Sequence, residues 1–354
     1  MPNLTNKLTF IDLFAGCGGL SLGLEQAGFY PLYVNELNHD AIETYLINRD
    51  KHYPHLREKY SSRDVKKVVS KEGYFENLLD SFKADFTRDF RRNTVDLIAG
   101  GPPCQGFSGM GIRRSYSVDK VQLPSNHLYQ DMAFVVHKVR PKMFLFENVE
   151  GLLRARWTPD GKKGEIFKDV LKTFVSLSEY DVKYKLVYAK DYGVPQNRPR
   201  ILIVGIRKDI YAAPSNEQDA VVANFLPTET NDYPHIDELL SDLVDKNFQY
   251  GGTTEVYPKQ PQNEWQKRFR TNPYSGKVSA KGSKLSEHTY SKHNSTVVER
   301  FTHMINNNGL IPEHLRTKKF AQRVLPKKWG NKGPNLTACS LPDDFVHYRQ
   351  ARSL

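Results

Sequence analysis

Residues 8–27 constrain this chain more tightly than any other segment. An apolar run, residues 8–13, breaks into a turn holding Gly16, Gly18 and Gly19, and a helical pattern follows over residues 20–27. A buried strand that enters a glycine turn and leaves as a helix begins a β-α unit. Its glycines permit a tight turn and let a ligand approach the backbone at the helix N-terminus. The alternation then repeats. Residues 31–35, 95–99 and 143–146 read as strands, and residues 40–48, 75–82, 132–139 and 166–177 as helices. Such repetition predicts an α/β fold, a mostly parallel sheet covered by helices on both faces. Two alternating apolar runs, residues 184–190 and 200–206, are joined by a loop containing Pro and Gly. They predict a hairpin-like pair, and with it a reversed strand that makes the sheet mixed.

The texture changes after residue 208. Residues 208–290 are rich in Pro, Gly, Asn, Thr and Tyr, and the stretch 265–284 is basic with Phe269 and Tyr274 interleaved. A helical pattern returns over residues 293–303, and residues 317–334 are again basic. A chain of 354 residues has room for two or three domains. A hydrophobic content of 39% supports packed cores. The 51 Lys and Arg against 40 Asp and Glu give a net charge of +11. That excess favours a polyanionic partner such as nucleic acid, although a merely basic protein would share it. The three cysteines, Cys17, Cys104 and Cys339, are far apart and form no CxxC pair. A disulfide framework or a zinc site is therefore disfavoured, no metal is expected, and a lone thiol is free for nucleophilic work in a reducing compartment. No signal peptide and no apolar stretch of membrane-spanning length is found, so a cytoplasmic protein is expected.

Each β-α junction carries its own polar signal. The glycine turn lacks GxGxxG spacing, which counts against an ordinary dinucleotide site; taken alone it could serve a dinucleotide, a nucleotide or nothing. Glu36 ends the second strand, where a carboxylate can accept from both hydroxyls of a ribose or simply be solvated. Residues 100–108, GGPPCQGFS, put Cys104 in a loop stiffened by Pro102 and Pro103 at a strand's C-terminal end, where α/β folds keep ligands. An inert buried thiol is the alternative. Glu147, in FENV, is expected to end an apolar strand, poorly solvated and able to share a proton, unless it caps a helix or pairs with a cation. Arg198 and Arg200, in QNRPR, point to one face of an extended segment, as suits a phosphate, carboxylate or carbonyl, or a basic surface strand.

FAGCGGL, a Glu after the second strand, PPCQGFS, ENV and QNRPR, in that order, resemble the motif series of the DNA (cytosine-5)-methyltransferases. The resemblance covers residues 8–207 and resumes from His293 and over GPNLTACSLPDDF, residues 333–345. It implies a Rossmann-like S-adenosylmethionine methyltransferase sheet over residues 1–207 and a smaller, loop-rich target-recognition domain over residues 208–330. Residues 331–354 would begin a C-terminal return to the catalytic domain. Phe14, Gly16, Gly18, Gly19 and Leu20 would line the S-adenosyl-L-methionine pocket. Glu36 would bind the ribose and Asp64 the adenine amino group, and Pro102 would pack against the cofactor. Leu37 stands where the family often has an aromatic residue, so apolar contact with adenine is expected there.

The resemblance also implies a mechanism. Cys104 would attack C6 of a cytosine swung out of duplex DNA, Glu147 would hydrogen-bond N3 and the amine, and Arg200 would contact O2 while Arg198 orders the site. Methyl transfer to C5 would release S-adenosyl-L-homocysteine. Gln105, Ser108, Arg113, Arg114 and Lys120 would close over the DNA, and Lys267, Arg268, Arg270 and Lys277 are candidates for contact in the recognition domain. An inactive DNA-binding chain and a tRNA cytosine-5 methyltransferase share the motif series; the large recognition region and the charge favour double-stranded DNA. A bacterial or phage restriction-modification enzyme is expected, monomeric, working in the bacterial cytoplasm or nucleoid alongside a cognate restriction endonuclease. The family normally continues into a closing motif with a Gly-Asn pair, whereas this sequence stops at HYRQARSL. Truncation is the favoured reading over loss of activity or a second chain supplying the motif, and this chain alone is expected to bind cofactor weakly.

Overall fold

Strand β1 (Thr9–Leu13) is buried along its whole length because it has a parallel neighbour on each side, β2 (Tyr30–Asn35) and β4 (Leu97–Gly100). A strand so placed meets side chains on both faces, which is why its sequence is almost continuously apolar. The structure, a computed structural model, describes residues 7–86, 95–103, 124–211, 229–230, 233–316, 322–327 and 345–353. The short β3 (Ser61–Ser62) extends the sheet beyond β2, and β5 (Met143–Val149), β7 (Pro199–Arg207) and β6 (Tyr180–Tyr188) extend it the other way. The strand order is β3-β2-β1-β4-β5-β7-β6, with β7 antiparallel to β5. The mixed α/β sheet and its reversed strand match the expectation from sequence.

The helices of this first unit are α1 (Gly19–Gln26), α2 (His39–Ile47), α3 (Pro54–Glu58), α4 (Val65–Val69), α5 (Tyr74–Asp85), α6 (Leu128–Val139) and α7 (Glu165–Val175). Leu20 and Leu24 of α1 pack with Phe29 on Phe10, Leu97 and Ala99. Residues of opposite alternation, Ile11, Leu13 and Tyr33, face Val65, Val68, Phe75, Leu78 and Val135 of α4, α5 and α6. Both faces of the sheet are thereby covered.

The chain divides into two compact units: Met1–Val187 with Pro199–Pro227, and Tyr188–Arg198 with Thr228–Leu354. The second unit contains α8 (Ile236–Leu240), α9 (Glu264–Arg270), α10 (Ser295–Asn306) and a parallel pair of short strands, β8 (Arg323–Val324) and β9 (Phe345–Val346). Two small cores hold it, one around Ile236, Leu239 and Leu325, the other around Phe301, Met304 and Val346. Residues 345–353 belong to this unit. Gln350 donates to the carbonyl of Asp245 at 2.7 Å, Tyr250 donates to the carbonyl of Ala351 at 3.0 Å, and Arg352 lies buried over the Tyr290 ring. Residues 345–353 thus make these hydrogen bonds and ring contacts within the second unit. No helix among the described residues is long and apolar enough to cross a membrane.

Candidate active site

Strand register assembles the site. Asn35, Leu13, Gly100 and Phe146 lie side by side across β2, β1, β4 and β5. The next residue of each strand is Glu36, Phe14, Gly101 and Glu147, so four motifs dispersed over more than 100 residues of sequence end in one row at the C-terminal edge of the sheet. In open α/β sheets this edge is where ligands bind.

At one end of the row, the Glu36 carboxylate is held from two sides. Oε2 accepts from the N–H of Gly16 at 2.8 Å, and Oε1 from the N–H of Asn38 at 2.7 Å. Each oxygen keeps further acceptor capacity. Phe14 and Gly16 both take left-handed backbone (φ 59 and 56), a conformation costly for Phe14 and easy for Gly16. A Cβ at Gly16 or Gly19 would meet nothing within 4 Å, so the outer side of the turn is open. Leu37 is 65% exposed, and its carbonyl accepts from Nε of Arg63 at 2.9 Å. Asp64 caps α4, Oδ1 accepting from the N–H of Lys66 at 3.0 Å. An open glycine turn, a fixed carboxylate and an exposed apolar side chain fit a nucleoside with a charged tail.

At the other end, β5 continues three residues beyond the expected boundary, so Glu147 lies within the strand and not at its end. It is half-buried and forms an ion pair with Nε of Arg200 on β7. A Cβ on Gly101 would come within 2.8 Å of Glu147 Oε2, so this glycine makes room for the carboxylate. The buried Asn148 donates from Nδ2 to the carbonyl of Pro102 at 3.0 Å, holding the chain just after β4. Cys104, Gln105, Ser108, Arg113, Arg114 and Lys120 lie outside the described residues. Arg198 falls in the second unit, its carbonyl accepting from the N–H of Ala189 at 3.0 Å.

Residues 8–331 match the family described as C-5 cytosine-specific DNA methylase. The chain belongs to that family. It is 30% identical over 295 residues to the type II methyltransferase M.DdeI of Desulfomicrobium norvegicum, covering 83% of this chain and 60% of that protein. It is 32% identical over 272 residues to M.NgoPII of Neisseria gonorrhoeae, covering 77% and 63%. The chain thus spans about three-fifths of the length of these two relatives. A crystal structure of a prophage-encoded E. coli protein, described as a DNA modification methyltransferase, shares the fold with a TM-score of 0.62 at 22% identity, over 98% of this chain and 86% of that one.

In this C-5 cytosine-specific DNA methylase the structure adds detail at Gly18 and Leu20 and corrects the assignment of Arg270. On the side a Cβ would take, Gly18 faces Arg49 Nη1 and Tyr45 Cδ2, each 2.6 Å from that position, so the protein itself fills that side. The Leu20 side chain packs into the core with Phe10 and Leu97. Arg270 is buried: its Nε and Nη2 donate to Asp242 Oδ2 at 2.8 and 2.5 Å, and its Nη1 to the carbonyls of Lys259 and Ser279. Its guanidinium is committed to holding the second unit together. Lys267, Arg268 and Lys277 are exposed, Lys267 paired with Glu264. The sequence reading did not single out Asn148, which holds the Pro102 carbonyl, Arg63, which holds the Leu37 carbonyl, or Arg49. Asn148 carried a signal, since it adjoins Glu147 in the ENV motif.

Proposed function

We propose that this chain methylates C5 of a cytosine in a specific double-stranded DNA sequence, through a covalent adduct of Cys104. The reading is carried by the row Glu36, Phe14, Gly101 and Glu147, with Arg200 paired to Glu147, in a member of this family. Glu36, Leu37, Asp64 and the open side of the Phe14–Gly16–Gly19 turn would hold S-adenosyl-L-methionine. That cofactor supplies an electrophilic methyl group and leaves as S-adenosyl-L-homocysteine.

C5 of cytosine is a weak nucleophile within an aromatic ring. The Cys104 thiolate forms a bond to C6, which breaks the aromaticity and makes C5 enamine-like. Glu147 hydrogen-bonds N3 and the amine and supplies the proton that balances the electrons moving onto the ring. Arg200 orients Glu147 and reaches O2, and Arg198 helps order the site. Once C5 is methylated, its proton passes to water, the C6–S bond breaks and Cys104 leaves as thiolate. These atoms are covered in a duplex, so the base is swung out at a cost of a few kcal/mol. The exposed Lys267, Arg268 and Lys277 suit phosphate contact.

The test is trapping on a duplex pool containing 5-fluorocytosine, with S-adenosyl-L-methionine present. Fluorine cannot leave C5 as a proton does, so a competent enzyme stalls as an adduct. An adduct that needs both Cys104 and cofactor supports the reading, and sequencing the trapped DNA gives the target. An adduct that persists in Cys104→Ala, or forms on tRNA but not on DNA, overturns it.

A further inference from the structure

We propose that Arg49 is a positioning residue for the cofactor turn, its buried guanidinium holding Gly18 so that the open side of the turn is formed before ligand arrives. This rests on the reading of the turn as the S-adenosyl-L-methionine site. Gly18 stands at φ 92 as the residue before α1. Its carbonyl accepts twice, from the N–H of Leu22 at 2.9 Å and from Arg49 Nη2 at 3.0 Å. Arg49 is itself fixed: Nε donates to Glu25 Oε1 at 2.6 Å, Nη1 donates to the carbonyl of Tyr45 at 3.2 Å, and the guanidinium lies 3.9 Å from the Tyr45 ring centroid. The Tyr45 hydroxyl is 2.8 Å from Ser21 Oγ, and Ser21 donates to Asp12 at 2.5 Å. The inner side of the turn is thereby closed by a connected polar network while Gly16 and Gly19 face open space.

The electrostatics argue that this network serves geometry more than stability. The Arg49 and Glu25 side chains are each only 3% exposed. Burying such a pair costs about as much desolvation as its attraction returns, and an apolar replacement is often no less stable. What it does achieve is a planar fork whose three nitrogens reach Glu25, the Tyr45 carbonyl and the Gly18 carbonyl in fixed geometry, which a lysine's single ammonium cannot reproduce.

The experiment is calorimetric titration of S-adenosyl-L-methionine into the full chain and its Arg49→Met, Arg49→Lys and Glu25→Gln variants, with thermal unfolding followed in parallel. The expected result is a Kd raised about tenfold in Arg49→Met, as for loss of one charge-assisted hydrogen bond, and raised less in Glu25→Gln. Stoichiometry should stay at the wild-type value. A purely structural role would lower the fraction of competent protein and leave the Kd of the remainder unchanged; that outcome overturns the proposal. Should Arg49→Met fail to fold, an unchanged Kd in both Arg49→Lys and Glu25→Gln overturns it equally. A wild-type chain that binds while all variants bind as well removes this proposal alone. A wild-type chain that does not bind removes the cofactor reading and this proposal with it.

Discussion

Glu147 and Arg200 meet diagonally across the antiparallel pair β5–β7: Glu147 lies opposite Leu202, Arg200 opposite Val149, and the two side chains form an ion pair on one face. Only long side chains reach across such a diagonal. If the pair acts as one device on the cytosine ring, removing either partner disables both. Glu147→Gln is expected to slow single-turnover methyl transfer by about 10²–10⁴-fold, the range for a lost general acid. Arg200→Ala should fall in the same range, and the double variant should be little worse than either alone. Fully additive losses in rapid-quench measurements would show that the two work separately.

Pro102, two residues before Cys104 in the sequence, is held by a side-chain amide. Asn148 is buried, and its Nδ2 donates to the Pro102 carbonyl. Asn148→Ala leaves that carbonyl without its donor, so unfolding in urea should come earlier by about 1–3 kcal/mol. Adduct formation on 5-fluorocytosine duplex should slow more than cofactor affinity falls, because the glycine turn is held independently by Glu36. Equal losses in both would place the effect in the whole unit instead.

The β-α units could be read in the sequence because β1, β2 and β4 are buried along their whole length and the junctions carry glycine, proline or an isolated carboxylate. Long-range contacts could not be. Gly18 is filled by Arg49, 31 residues away, and nothing in either local sequence announces the meeting. The end of the apolar run at Phe146 hid the further course of β5, whose last residues are paired by β7, about 50 residues later in the chain. Arg270 sits in a basic cluster that reads as a nucleic-acid surface. Its position four residues after the buried Gln266 puts it on the inner face of α9, and Asp242 neutralises it there.

Two basic residues of α9 should therefore fail in opposite ways. Arg270→Ala strands a buried Asp242 carboxylate, and the second unit should lose about 3–5 kcal/mol, visible as an earlier thermal transition. Arg268→Ala removes only an exposed charge and should leave unfolding unchanged. If Arg268 contacts a phosphate, its loss should weaken duplex binding and lower the salt dependence by about one unit. An unaltered salt slope would remove Arg268 from the interface.

Asp12 supplies a pH dependence of calculable sign. It is fully buried beneath the glycine turn, and burial pushes its carboxyl up to about 7, against the smaller opposing effects of the Ser21 hydrogen bond and the Arg49 charge. The folded state therefore binds this proton more tightly than the unfolded chain, whose value is near 3.8. The stability contributed by protonated Asp12 is complete below that value. It is lost progressively as pH rises, until the folded protein ionises near 7. Asp12→Asn keeps an acceptor for Ser21 and has no proton to lose. The variant should gain on wild type steadily between pH 4 and pH 7 and hold a constant advantage above that, on the order of a few kcal/mol. Urea unfolding of the pair across this range checks it. A difference that does not change with pH would mean that Asp12 keeps one charge state throughout, and that Arg49 offsets its burial far more strongly than the geometry suggests.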